Sequence, residues 1–466
     1  MTSFIALCLA LYAGYVLRSK LRVLQWLYLP ASVIGGLAAL AVVQIAQRAG
    51  NGAAPSWTAA WGDLPGMLIN IVFACLFLGH PVPSVRTLWR RAGPQLAYGQ
   101  VVAWGQYVVG VGLVIAVLGP VFGVPTMFGG VIAVGFEGGH GTAAGLAETF
   151  QQHGWPGGKH LALASATAGV TSAIIVGMVL INWAARRGHL AGGRRPTTLS
   201  AIERAGIIPR DKRPSAGRLT VSSDAIGSLT LHIVVIGMAV LIGYLIKEGA
   251  WLVEGQLNAG LDEAARRGTA FYILVKSFPL FPLCMIGGLV VQFAEDRWDK
   301  HDLIDLGLTR RIQNAALDFL VVAAIATIRI EAVTALLAPF LITVAAGIAW
   351  NVLCVLVLAR RMLPDAWFER SIAEMGQSMG VTATGLLLLR VVDPDYETPA
   401  ADAFASKQLL HEPFMGGGLW TSMAIPLLAM WGSWPVFLIA CGAVAAWMLI
   451  VFVPRAWRRR SPAAAA

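Results

Sequence analysis

Glu137, His140 and Thr142 lie within one short stretch, Phe136-Glu137-Gly138-Gly139-His140-Gly141-Thr142-Ala143-Ala144-Gly145-Leu146, inside a long apolar region. An ionisable side chain at membrane depth is costly and marks a functional site by default. Glu137 can coordinate sodium, carry a proton or pair with His140, and the plainer alternative is a structural hydrogen bond to nearby backbone. His140 is equally suited to bracing the turn as a neutral imidazole or to touching a substrate. Each glycine costs about 1 kcal/mol relative to alanine in a helix interior, so this stretch breaks any helix entering it. Broken backbone is tolerated at membrane depth only where it is buried in protein or lines a cavity. A related segment, Gly380-Val381-Thr382-Ala383-Thr384-Gly385-Leu386, recurs in the second half, preceded by Gln377 and Ser378. Paired broken segments are the best sequence pointer to a transporter's binding site.

The chemistry of such segments follows from their helix ends. Free N–H groups at a helix N-terminus favour a carboxylate, and unwound carbonyls at a C-terminus favour a cation such as sodium. Thr142, Thr382 and Thr384 add hydroxyl oxygens, and Gly138, Gly139, Gly141 and Gly380 let a ligand approach the backbone closely. The competing reading is that these glycines serve tight helix packing. Thr167 and Thr171, one helical turn apart, share a face with Ser172 beside it, and Thr421 with Ser422 holds the analogous place in the second half. Such hydroxyls either contribute to the site or bond their own i−4 carbonyls. Asp318 is a further intramembrane acid, with Asn314 four residues before it as a partner. Arg390 follows the second broken segment, placed to meet a substrate carboxylate or to snorkel. No HExxH spacing, Walker A motif or nucleophile beside His140 is present, so metal hydrolysis, primary active transport and intramembrane catalysis lack support. The chain is expected not to be an enzyme and to need no cofactor beyond a coupling sodium ion or proton. A passive channel is the remaining alternative.

The elements that position these residues are membrane spans. Of the 466 residues, 57% are hydrophobic and 13% charged, with a mean hydropathy of +0.68; soluble domains carry about 25% charged residues. Apolar spans fall near Thr2–Leu17, Gln25–Ala46, Leu64–Gly79, Gln95–Leu118 and Leu161–Trp183. After a basic linker come Ile226–Ile246, Phe271–Ala294, Ile312–Ile328, Ala332–Ala359, Pro413–Gly432 and Trp434–Val453. Most suit a bilayer that needs about 20 residues per helix. The net charge of +10 sits in alternate short loops, the positive-inside pattern, so no nucleic-acid partner is implied. Eleven spans with the N-terminus outside and the C-terminus cytoplasmic fit the alternation. The opening lacks a basic n-region, so the first span reads as a retained helix rather than a cleaved signal. The five cysteines, Cys8, Cys75, Cys284, Cys354 and Cys441, lie in apolar segments and read as small packing residues.

The expected organisation is an N-terminal repeat over 1–183 with a re-entrant hairpin near 122–149, then a linker over 184–225 with nine basic and three acidic residues. A C-terminal repeat over 226–432 follows, with a hairpin near 371–392. An odd count before the linker requires the second repeat to be inverted. The added span and basic tail occupy 433–466. The fold class is thus all-α integral membrane.

Several of these motifs resemble the bacterial sodium/glutamate symporter family. Glu137-Gly138-Gly139-His140-Gly141-Thr142 is similar to its Ser-Gly-Gly-His-Gly-Thr string. Leu29-Pro30 with Gly35-Gly36 resembles its second helix, and Ala166-Thr167-Ala168-Gly169 the helix after its first hairpin. Gly380-Val381-Thr382-Ala383-Thr384 resembles its second hairpin, with Pro413 and Gly416 where its last core helix has a Pro…Gly pair. The resemblance covers roughly Pro30 to Ser422. It implies two inverted repeats of five helices, each with a hairpin, a homodimer in the bacterial inner membrane, and sodium-coupled uptake of an acidic amino acid such as glutamate. Glu137 stands where the family has serine, Ala383 where it has proline, and Thr421 where it has an acid. A proton-coupled carrier of another organic anion, using Glu137, is therefore the alternative.

Overall fold

The computed structural model describes residues 1–50, 55–80, 85–191, 206–208 and 210–460. Its elements are helical, with no strand among the described residues. The first-half helices are α1 (Thr2–Lys20), α2 (Ala31–Ala49), α3 (Leu64–Ala74), α4 (Val85–Leu113), α5 (Val131–Phe136), α6 (Gly139–Gly145), α7 (Ala147–Gln152) and α8 (Gly157–Arg186). The second half supplies α9 (Ser228–Leu257), α10 (Ala270–Ser277), α11 (Phe281–Trp298), α12 (Leu306–Ala326) and α13 (Leu337–Leu353). It closes with α14 (Trp367–Met379), α15 (Thr382–Val392), α16 (Ala400–His411), α17 (Leu419–Trp431) and α18 (Ser433–Arg460).

Helix falls on every expected span, but not every helix is long and apolar enough to cross a bilayer. Among the described residues seven are, or eight if α10 and α11, bent by 72°, form one span. Of the eleven expected spans, those at α3 and α17 are short, with 11 and 13 residues. Residues 192–205 and 209 of the linker expected over 184–225 lie outside the described residues, as does the end of the basic tail. All five cysteines are free thiols.

The chain divides into two compact units, each drawing on both halves of the sequence. The first comprises residues 1–83, 140–159 and 200–329; the second comprises 84–139, 160–199 and 330–466. The chain passes between them inside the glycine-dense stretch, after Gly139.

In the first unit, two helix pairs cross on glycine. A Cβ on Gly14 would lie 2.1 Å from the Ala31 carbonyl oxygen, and one on Gly35 2.4 Å from that of Ala10. The α9–α11 pair repeats the device: a Cβ on Gly287 would lie 2.0 Å from the Ala239 oxygen, and Gly243 is similarly close to the Cys284 backbone. Small residues allow this approach where lipid supplies no hydrophobic drive. The placement exposes a sequence match. Leu29-Pro30-Ala31-Ser32-Val33-Ile34-Gly35-Gly36 and Phe281-Pro282-Leu283-Cys284-Met285-Ile286-Gly287-Gly288 both open a helix with proline, whose missing N–H costs nothing there, and both close on Gly-Gly. The second glycines also correspond: Gly36 faces Ile325 of α12, and Gly288 faces Ala74 of α3.

The second unit has its own pair. At the end of α4 the backbone loosens into a π turn, Val114–Leu118, before Gly119–Phe122; α13 continues likewise through Cys354–Leu358 to Ala359–Met362. Each leads into a broken segment. α14 and α15 pack on each other through Gly376 and Gly385, where a Cβ on Gly376 would lie 2.7 Å from the Gly385 Cα. The added helix α18 lies along α4, sharing a core of Tyr98, Val101, Val102 and Val451.

Candidate functional site

Two breaks bring polar groups into the apolar interior of the second unit. At the first, α5 ends at Phe136, and the amides of Glu137 and Gly138 both bond the Ala133 carbonyl. Gly139 then takes φ +68°, a conformation that only glycine adopts without strain. A Cβ there would sit 3.5 Å from Val381 Cγ1 and 3.7 Å from the Gly380 oxygen, so the two broken segments meet at their tips. A third break follows α16, where Pro413 cannot continue a helix and Gly417 adopts φ +98°.

The side chains at these breaks form one buried network. Glu137 Oε1 accepts from Gln377 Nε2 at 2.7 Å and from His411 Nε2 at 2.6 Å. Gln377 Oε1 accepts from Lys407 Nζ at 3.0 Å, which also donates to Glu374 Oε1 at 2.6 Å and Gln408 Oε1 at 2.9 Å. Gln95 of α4 donates to the other oxygen of Glu374 at 2.8 Å. Gln408 Nε2 donates to Thr382 Oγ1 and Glu412 Oε1, and Thr382 donates to Glu412. On the far side, Gln100 contacts His411 Nδ1 at 3.2 Å and accepts from Trp104 Nε1 at 3.0 Å.

The direction of these bonds can be worked out. An indole N–H only donates, so Gln100 must turn its oxygen to Trp104 and its NH₂ to His411. Nδ1 of His411 is then an acceptor, and the neutral ring donates its one N–H to Glu137. Lys407 likewise only donates, which orients Gln377 with its NH₂ toward Glu137. Two oxygens of the network are left over, Gln95 Oε1 and Glu137 Oε2. Glu137 Oε2 is buried and has no partner among the described residues, although an unsatisfied buried carboxylate oxygen is expensive.

The expected site residues therefore separate. Glu137, Gly138, Gly139, Gln377, Gly380, Thr382 and Thr384 gather around this network in the second unit, with the Ser378 hydroxyl buried and unpartnered nearby in sequence. His140, Gly141 and Thr142 belong to the first unit. The Glu137 carboxylate bonds His411 and Gln377, two partners that the expectation of a bond to His140 did not include. Thr167 and Thr171 donate to the carbonyls of Leu163 and Thr167 four residues back, the plainer of the two roles expected. Thr421 donates to the Met415 carbonyl and Ser422 to that of Gly417 at 3.3 Å, tying α17 to the third break. Asp318 lies on α12, which runs alongside α2. Arg390 is exposed.

Sequence reading missed Glu374, Lys407, Gln408, His411 and Glu412, together with Gln95 and Gln100. α16 has only 12 residues and carries Asp402, Lys407 and His411, so it reads as a loop. Its signal was the pair of prolines, Pro399 and Pro413, that brackets a helix-length segment. For Gln95 and Gln100 it was an amide at two points of an otherwise apolar span.

Spans packed on small residues and broken helices sealing ionisable groups inside define a multi-pass membrane carrier. A model of the sodium/glutamate symporter family matches residues 1–255, and the chain belongs to that family. No curated protein and no solved structure matches it. Its class is that of a transporter, not an enzyme, with sodium as the coupling ion the family implies.

Proposed function

We propose that the chain couples the inward movement of sodium to that of glutamate or a close acidic amino acid, by alternating access around the meeting point of the broken segments. The observation that carries this reading is Glu137: a carboxylate bonded through one oxygen only, its second oxygen buried and unpartnered among the described residues where both tips converge. A sodium ion satisfies such an oxygen through its lone pairs. A proton would convert it to a donor that still lacks an acceptor, so sodium is the better occupant. Bound sodium also offsets the repulsion between Glu137 and an anionic substrate. Ser378, Thr384 and the unwound backbone at Gly138 and Gly380 supply further oxygens and N–H groups. Thr167, Thr171, Thr421 and Ser422 hold the flanking helices, and Asp318 and Arg390 are secondary candidates.

The same reading takes 1–183 and 226–432 as inverted repeats, each with a re-entrant hairpin. The twin Pro…Gly-Gly helices and twin π turns support it. It also takes the N-terminus as outside, the C-terminus as cytoplasmic, the membrane as the bacterial inner membrane and the assembly as a homodimer. The test is uptake of labelled glutamate into proteoliposomes under imposed sodium or proton gradients, with Glu137→Gln alongside. Sodium-driven uptake that weakens in the variant is expected. Uptake driven only by protons, or unchanged sodium dependence in Glu137→Gln, would overturn the assignment of Glu137 to sodium.

A further inference from the structure

Lys407 is fully buried, and its ammonium is held by three side-chain oxygens: Glu374 Oε1 at 2.6 Å, Gln377 Oε1 at 3.0 Å and Gln408 Oε1 at 2.9 Å. An ammonium has three N–H groups, one for each of these three acceptors. The three oxygens come from α14, which precedes the second break, and α16, which precedes the third. The set of one carboxylate and two amide oxygens is one that suits a hard monovalent cation. The cage is closed from outside as well. α4 passes so near that a Cβ on Gly99 would lie 2.5 Å from Glu374 Oε1 and 2.6 Å from Lys407 Cε. The remaining Glu374 oxygen is taken by Gln95. Thus Glu374 is fully satisfied from within the chain, whereas Glu137, two side chains away along the same network, is not.

We infer that Lys407 is a tethered cation: its ammonium permanently fills a buried oxygen cage that would otherwise bind a dissolved monovalent ion. Describing that ion as a coupling ion rests on the symport reading above; the cage itself does not. The chain then closes its broken segments around one dissolved cation fewer than the oxygen sites it builds. Sodium taken up with substrate binds at Glu137 alone, because the site at Glu374 is already occupied.

The experiment is thermal melting of the purified full chain in detergent. Lys407→Ala, Glu374→Gln/Lys407→Met and the unaltered protein are each melted in choline, sodium, potassium, ammonium and methylammonium chloride at equal ionic strength. Lys407→Ala is expected to melt well below the unaltered protein in choline. It should regain most of that loss, saturably, in ammonium, methylammonium or an alkali chloride, because the small ion enters the space the side chain left. The double variant has no charge to neutralise and is expected to melt alike in alkali, ammonium and choline salts once the response of the unaltered protein is subtracted. A Lys407→Ala protein that melts at the same temperature in choline as in every small cation overturns the inference. So does one that fails to fold in all of them while the double variant folds. In proteoliposomes, Lys407→Ala is expected to show a sodium Hill coefficient about one unit higher than the unaltered protein. An unaltered protein with no sodium-driven glutamate uptake would defeat the transport reading, yet the melting series would still decide the cage.

Discussion

Glu137 and His411 show how a single donor can fix a charge state two residues away. Trp104 forces the orientation of Gln100, and Gln100 holds His411 neutral by offering it an N–H. Replacing Trp104 with Phe removes that constraint. The Gln100 amide can then turn over, His411 can take a proton, and the imidazolium faces Glu137, with Lys407 and Glu374 the other charges nearby. Sodium affinity is therefore expected to fall more steeply toward acid pH in Trp104→Phe than in the unaltered protein. Sodium titrations of uptake at several pH values check this. For Glu137→Gln, the half-saturating sodium concentration is expected to rise about tenfold or more, since a charge-assisted contact is worth roughly 1.5 kcal/mol or more.

At the scale of elements, the breaks matter more than the helices. Gly139→Ala meets only ordinary contacts, so its cost is the left-handed backbone, about 1–2 kcal/mol. Gly99→Ala keeps its backbone but drives a methyl between Glu374 and Lys407, and overpacking of this kind costs about 1–3 kcal/mol. Thermal melts are expected to show both losses. Only Gly99→Ala should also disturb the response to ammonium described for Lys407→Ala. The breaks themselves were legible, because a helix cannot run undisturbed through a cluster of glycines such as Gly138, Gly139 and Gly141, even where its flanks are apolar. Spans were legible as helix, though α3 and α17 are shorter than their apolar runs, which continue through turns at Cys75 and into the third break. What could not be read was α16. Its buried charges look like a solvated loop until Glu374, far away in sequence, is seen to neutralise Lys407, and no local pattern announces that pairing.

At the scale of the whole molecule, the two halves of the sequence are interleaved so that each unit is built from both. The first unit holds one apolar cluster of Leu7, Ala39, Val43, Trp61 and Val322 and another of Ala74, Cys75, Ile236, Ala239 and Cys284. Gly35→Ala and Gly287→Ala place a methyl against equivalent carbonyls, 2.4 and 2.0 Å away. Comparable losses of melting temperature are expected from the two, and a large loss from one with none from the other would count against equivalence of the halves. Pro30 with Gly35-Gly36 was visible as a motif; its match to Pro282 with Gly287-Gly288 emerged only when both were seen crossing a preceding helix on glycine.

The fixed polarity of the buried network also bears on how such a sequence drifts. Glu374 without Lys407 is a buried charge left alone, a loss of about 3–5 kcal/mol, whereas exchanging both for apolar residues is close to neutral. Single substitutions are costly and double ones tolerated. Across diverging descendants of this chain, positions 374 and 407 are expected to change together or stay, and one that lost Lys407 alone would depend on a dissolved cation in its place.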